Sequence, residues 1–168
     1  PLYSSAASDV YKRQVEKWLL QVQDVMLVSL RDVIEAARNA YFTDPREEWV
    51  KEWPGQVVLC VSQIFWTSEV DEALKSGNSG LKDYVVKLNA QLGNVVQLVR
   101  GKLSMMTRIT LGALVVVDVH ARDVIVEMIN KNVESNNDFN WLAQLRYYWE
   151  DNNCRVRITN AAVKYCYE

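Results

Sequence analysis

The chain holds one histidine, His120, set in the charged run Asp118-Val119-His120-Ala121-Arg122-Asp123. Any imidazole-driven acid–base or nucleophilic chemistry here must use it. At helical spacing His120 pairs with Asp123, and Asp118 with Arg122. That arrangement fits a hydrogen-bonded joint between packed helices better than a reaction centre, and with no second imidazole it makes no zinc site. A second cluster, Glu47, Glu48 and Glu52 beside Trp49 and Trp53, offers paired carboxylates for proton transfer. Acids in the first turn of a short helix also complement its dipole while facing water, and the spacing fits that role better. Arg146, between Leu145 and Tyr147, can stack or clamp an acid and reads as a contact residue rather than a catalytic one. Cysteines 60, 154 and 166 lack metal-ligand spacing and read as inert thiols in a reducing compartment. A phosphate-binding G-x-x-x-x-G-K-[ST] run is not spelled: Gly101-Lys102 is followed by Leu103, and Gly77 and Gly80 fall out of register. The residues thus predict no catalytic, cofactor-binding or metal site in this stretch.

The elements that must position these side chains are helical. Hydrophobic residues make up 49% of the chain, enough for a packed core, and the net charge is −2 with acids and bases interspersed. No basic block points to nucleic acid, and the densest apolar run, Ala113 to Val117, is too short to span a bilayer. A helix is expected from Val15 to about Tyr41, because Val15, Trp18, Leu19, Val22, Met26, Leu30, Val33, Ala37 and Ala40 recur every three or four residues. Asp44-Pro45 opens a short helix that stops before Pro54, and Pro54-Gly55 opens the next. The segment Ser76-Gly77-Asn78-Ser79-Gly80 predicts a loop. The stripe Leu81, Val85, Leu88, Leu92, Val95, Val99 predicts another helix, broken at 101–103 with Ser104 as the following N-cap. Leu111–Val119 is β-branched, yet the helical stripe continues on both sides of it. After the polar run 134–138 a further helix carries Trp141, Leu142, Leu145 and Tyr148. Val156 and Ile158, then Val163, Tyr165 and Tyr167, alternate as two short strands of a hairpin.

Ser4 to Gln14, SSAASDVYKRQ, is the one-frame translation of a nucleotide string that resembles a transposase-type library adapter. Residues 1–14 are therefore expected to be a disordered, non-native leader, with the protein itself starting near Val15 inside a helix.

Four blocks carry a family resemblance across 15–168. They are Val15-Glu-Lys-Trp-Leu19; Trp53-Pro-Gly-Gln-Val-Val-Leu59 with Gln63-Ile-Phe-Trp66; Val99-Arg-Gly-Lys-Leu103 with Val119-His-Ala-Arg-Asp-Val124; and Phe139-Asn-Trp-Leu-Ala-Gln-Leu-Arg-Tyr-Tyr-Trp149 leading to Tyr165-Cys-Tyr-Glu168. Their order and spacing resemble the C-terminal part of the linker of a dynein heavy chain, up to the start of the first AAA+ module. The Trp-Pro-Gly-Gln block looks more like axonemal inner-arm chains than cytoplasmic dynein. One departure is Cys166, where the family usually has glycine.

The resemblance implies a mainly α fold, an elongated stack of helical bundles over 15–150, with a short β-hairpin in 151–168 leading towards a motor ring. It implies a mechanical lever that bends and straightens over the AAA+ ring during ATP-driven movement along microtubules, not an enzyme in its own right. ATP and Mg would belong to the parent motor. Partners would be the rest of the heavy chain (AAA+ ring and tail), intermediate and light chains, and microtubules, with neither nucleic acid nor membrane. The location implied is the cytoplasmic cytoskeleton, in a ciliary or flagellar axoneme. The mechanical residues expected are Trp53, Pro54 and Trp66 at one joint, His120 and Asp123 at a second, and Trp141, Arg146 and Trp149 at the ring anchor, with hinges in 76–80, 101–104 and 131–138. The alternative is a free-standing helical scaffold that binds protein partners along its surface.

Overall fold

The computed structural model describes residues 2–165, with side chains from residue 13 onward; the Cys166 departure lies outside the described residues. Among the described residues six helices precede a small sheet: α1 (Leu2–Ala40), α2 (Arg46–Glu52), α3 (Gly55–Leu74), α4 (Gly77–Arg100), α5 (Met105–Asn130), α6 (Phe139–Leu142), then β1 (Arg146–Glu150), β2 (Asn153–Ile158) and β3 (Ala161–Lys164). A mainly α chain ending in short strands is what the periodicities predict.

Helix α3 is the axis. Val57, Val58, Cys60, Val61, Ile64, Trp66, Val70 and Leu74 are all buried, and a helix apolar on so many sides must be surrounded. Its neighbours are α1, α4, α5 and β1. Its first half enters a core with Ile34 and Ala37 of α1, Trp49 and Val50 of α2, Leu111 and Leu114 of α5, and Cys154 of β2. Its second half enters a separate core with Leu81 and Tyr84 of α4, Ile125 and Met128 of α5, and Trp141. The two cores lie in series along one helix.

The break between α4 and α5 falls where the slipped stripe puts it. Ser104 caps α5 by accepting the Thr107 amide at 3.1 Å. Arg108 reaches back to the carbonyls of Val99 (3.3 Å) and Gly101 (3.4 Å), covering the exposed end of α4. The β-branched run 111–119 stays helical, since Leu111 and Leu114 are fully buried against α3.

Several expectations change. The disorder expected over 1–14 is replaced by helix from Leu2. The stretch 2–14 contains neither proline nor glycine, so extending an existing helix through it costs little. The apolar stripe of α1 divides. Ile34 and Ala37 are buried, whereas Trp18 is 60% exposed and Leu19, Leu20 and Val25 are exposed with it. The predicted loop 76–80 shrinks to Lys75–Ser76, and α4 starts at Gly77. Gly77 takes φ +63°, and a side chain on Gly80 would meet the Ala73 carbonyl at 2.1 Å. Those glycines serve a tight crossing and a close approach, not a long loop. Asn78 fastens the corner by donating to the Ile129 carbonyl at 3.1 Å. Of the predicted hinges, 101–104 and 131–138 fall between elements, whereas 77–80 lies in the first turn of α4.

The largest correction concerns 138–150. Asp138 caps a single turn by accepting the Asn140 amide at 2.8 Å, and the chain then becomes strand, so Tyr148 is not helical. The sheet has three antiparallel strands in the order β1-β2-β3, not the two expected. Glu150 pairs with Asn153, leaving Asp151 and Asn152 as a two-residue turn, both at positive φ (51° and 54°). Asp and Asn tolerate that conformation, which matches strand twist. The expected boundary at 150/151 therefore cuts a hairpin in two.

Strand β1 docks on α3 through Thr67. Its hydroxyl accepts the Tyr147 amide at 3.0 Å and donates to the Gln63 carbonyl at 2.9 Å, and the residue is 0% exposed. Thr67→Val keeps the shape and strands the amide, so we expect a loss of about 1–3 kcal/mol. Urea unfolding should show a lower midpoint at unchanged slope. An unchanged midpoint would mean that the Tyr147 amide is not sealed by α3.

Candidate functional site

The densest constellation of predicted residues is where sheet, α3 and α6 meet. Trp141 of α6 is 0% exposed and packs edge-on to Trp66 of α3, with ring centroids 5.3 Å apart at 67°. Its indole Nε1 donates to Asp71 Oδ1 at 2.9 Å. Asp71 lies one helical turn beyond Thr67, so one face of α3 presents an acceptor to the indole and another to β1.

Arg146, 6% exposed, closes the cluster from the sheet side. Its guanidinium lies 5.9 Å from the ring centroids of both Trp141 and Tyr148. It donates to the Tyr148 hydroxyl (3.2 Å) and to the carbonyls of Leu142 and Thr159 (3.4 Å each). One side chain thus ties the end of α6, strand β1 and the β2–β3 turn together. Thr159, at φ 47°, donates its own amide to the Leu142 carbonyl at 2.7 Å. Burial pushes the Tyr148 phenol above its ordinary pKa, the Asp71 carboxylate adds to this, and Arg146 opposes it. Tyr148 therefore stays a neutral hydroxyl that accepts from Arg146.

Strand alternation sends the next aromatics the other way. Tyr147 and Trp149 pack against the first core, and Arg38 of α1 sits 5.2 Å from the Trp149 ring. The expected trio therefore splits: Trp141 and Arg146 meet, while Trp149 joins α1 to the sheet. The expected Trp53–Pro54–Trp66 joint splits too. Pro54 precedes α3 and Trp53 packs on the first core, whereas Trp66 belongs to the second.

The charged run on α5 also rearranges. His120 is exposed, and Asp123 pairs with its neighbour Arg122 at 2.6 Å. Asp118 turns instead to Arg46 of α2, whose Nη2 lies 3.0 Å from both carboxylate oxygens. The imidazole and the two acids thus do not converge. The acidic cluster is likewise dispersed, with Glu47 accepting from Asn94 (2.6 Å) and Glu48 paired with Lys51 (2.8 Å).

Sequence reasoning missed Arg46, Thr67 and Asp71. The last two had a weak signal: polar residues four apart, one helical turn, on a helix with many buried apolar positions. Arg46 had none, because its partner lies 72 residues away.

The Asp118 pairing has a pH signature. Burial raises the folded pKa of Asp118 above 3.8, outweighing the opposing pull of Arg46. Between 3.8 and the raised value the folded state holds the extra proton, so stability falls as pH rises through that window. We expect the chain to gain stability relative to Asp118→Asn as pH drops from neutral towards the ordinary aspartate range. Thermal unfolding of both proteins across that range checks it; a relative loss would mean that Arg46 outweighs burial.

No family model matches the chain. It is 60% identical over 167 residues to dynein axonemal heavy chain 12 of Rattus norvegicus, covering 99% of this chain and 5% of that protein. It is 54% identical over 157 residues to dynein axonemal heavy chain 3 of Mus musculus, covering 94% of this chain and 4% of the relative. Dynein axonemal heavy chain 1 of Homo sapiens matches at 49% over 154 residues, 92% of this chain and 4% of the relative. The chain thus spans about one-twentieth of the length of the relatives it matches. Identity this high, sustained across nearly every residue, makes the chain a segment of an axonemal dynein heavy chain.

Proposed function

We propose that this segment is part of the dynein linker, the lever that bends and straightens over an AAA+ ring during ATP-driven movement along microtubules in a cilium or flagellum. It transmits force and performs no reaction of its own; ATP and Mg act elsewhere in the parent motor. The supporting observation is the pair of cores in series along α3, closed by a sheet docked through Thr67 and Arg146. Two cores sharing one continuous helix resist bending relative to each other, as a lever requires. The order and spacing of the Trp53–Trp66, Val119–Val124 and Phe139–Trp149 blocks support the same placement. The partners that follow are the remaining heavy chain (ring and tail), its intermediate and light chains, and the microtubule. The exposed apolar face of α1, with Trp18, Leu19 and Met26, suits packing against more of the same heavy chain.

Reading the parent transcript in both directions tests this. Downstream, a G-x-x-x-x-G-K-[ST] loop is expected within about a hundred codons. Its absence there would overturn the placement next to the ring. Upstream, native codons should replace those for residues 4–14 if that stretch is adapter-derived.

A further inference from the structure

Two thiols stand face to face in the first core. Cys60 of α3 and Cys154 of β2 are both buried, and their Sγ atoms lie 3.6 Å apart although 94 residues separate them. Neither is placed there by a metal-type spacing, and the mechanical reading does not use them. Cys60 is 1% and Cys154 2% exposed, and of the two Cys154 is the one that borders a cleft. A cleft of about 160 Å³ opens between α1 and the sheet, lined by Leu30, Ile34, Trp149, Cys154, Lys164 and Tyr165 among others, and Cys60 is absent from its lining. A molecule the size of hydrogen peroxide fits that cleft, since a water takes only about 30 Å³. Arg31, which also pairs with Asp32 at 2.8 Å, lines the same cleft. Arg31 and Lys164 border the cleft that Cys154 also lines, so positive charge lies at the rim of the space a peroxide would enter.

We propose that Cys154 and Cys60 form a peroxide-responsive dithiol, in which Cys154 is attacked first and Cys60 resolves it to a disulfide that staples the sheet to α3. The Cys154 sulfur, as thiolate, attacks one peroxide oxygen. The O–O bond breaks, and the leaving hydroxide takes up the thiol proton as water. The sulfur, oxidised by two electrons, is then a sulfenic acid. The Cys60 sulfur attacks it, the S–O bond breaks, and a second water leaves carrying the Cys60 proton. Two thiols and one peroxide thus give one disulfide and two waters. Closing the gap needs the sulfurs to approach to about 2.05 Å, a movement of roughly 1.5 Å. Strand β2 would supply it, since its backbone is paired with β1 and β3 and not with α3.

The test uses the intact heavy chain carrying this segment, with Cys166→Ser to keep the pairing unambiguous. The native protein is exposed to hydrogen peroxide, blocked with an alkylating agent and digested with trypsin. A cross-linked pair of peptides, 52–75 joined to 147–155 and lighter by two hydrogens than their sum, is expected. Order is read with dimedone, which tags sulfenic acid. Cys60→Ser should give strong labelling at Cys154, several-fold above the wild type, whereas Cys154→Ser should leave Cys60 unlabelled. Failure of the cross-link to form in the native protein, or its appearance only after guanidinium unfolding, overturns the proposal. Preferential labelling of Cys60 in Cys154→Ser overturns the assigned order. Circular dichroism of each variant confirms that labelling reports the folded chain.

Discussion

Replacing Trp141 with alanine should destabilise the chain by about 3–5 kcal/mol, in the range for truncating a fully buried aromatic. The site gives specific reasons for the size of the effect. The indole fills the second core against Trp66, and its loss leaves a cavity bounded by the rigid backbones of α3 and α5. It also removes the donor to Asp71 and one of the two rings flanking the buried Arg146 guanidinium. Trp141→Phe separates these contributions. It keeps a ring against Trp66 but gives up the Asp71 bond, for an expected loss of about 1–3 kcal/mol. Denaturant unfolding of both variants measures the two values. A loss below about 1 kcal/mol for the alanine variant would mean that the second core collapses around the gap, so that α6 is not its keystone.

Arg46→Ala should be comparably costly, about 3–5 kcal/mol, because it leaves the Asp118 carboxylate with both side chains of the former pair only 15% exposed. The geometry shows why the pair is fragile. A single nitrogen, Nη2, serves both carboxylate oxygens, while Arg46 Nε and Nη1 are buried without a hydrogen-bond partner in the structure. Attraction therefore offsets only part of the desolvation of Asp118, in agreement with its raised pKa. Changing both partners to similar-sized apolar residues, Arg46→Met with Asp118→Leu, should recover most of the loss or exceed the parent chain. A double-mutant cycle measures this. If the double variant is as unstable as Arg46→Ala, the pair contributes more than an apolar contact would, and the account of its desolvation is wrong.

Helix identity was legible wherever the apolar stripe was long. The α4–α5 break at Gly101 and Ser104 followed from a slip in the stripe plus a capping residue, both local signals. The C-terminal hairpin was only half legible. Arg146–Glu150 carries apolar-aromatic spacing that suits a helix and a strand about equally, and the deciding feature is the Asp151-Asn152 turn, whose φ > 0 geometry demands a hairpin. Reading that turn as a type I′ signal would have found β1. Among the eight residues expected to act mechanically, Trp141 and Arg146 are neighbours in the fold. His120 does not join the acids, because a charged run on one helix can turn to another helix, as Asp118 does to Arg46. Long-range partners of this kind leave no periodic trace in a sequence, whereas the stripe and the caps do.

The central claim is that this segment carries force without taking part in nucleotide chemistry. Trp141→Phe is suited to testing it, since the substitution loosens the sheet anchor while the expected stability loss leaves the fold in place. Microtubule gliding velocity and ATP turnover, measured on the same preparation of intact heavy chain, give the answer. The account predicts slower gliding with nucleotide binding and turnover largely retained. Loss of nucleotide binding in step with gliding, in a variant shown to be folded, would contradict it.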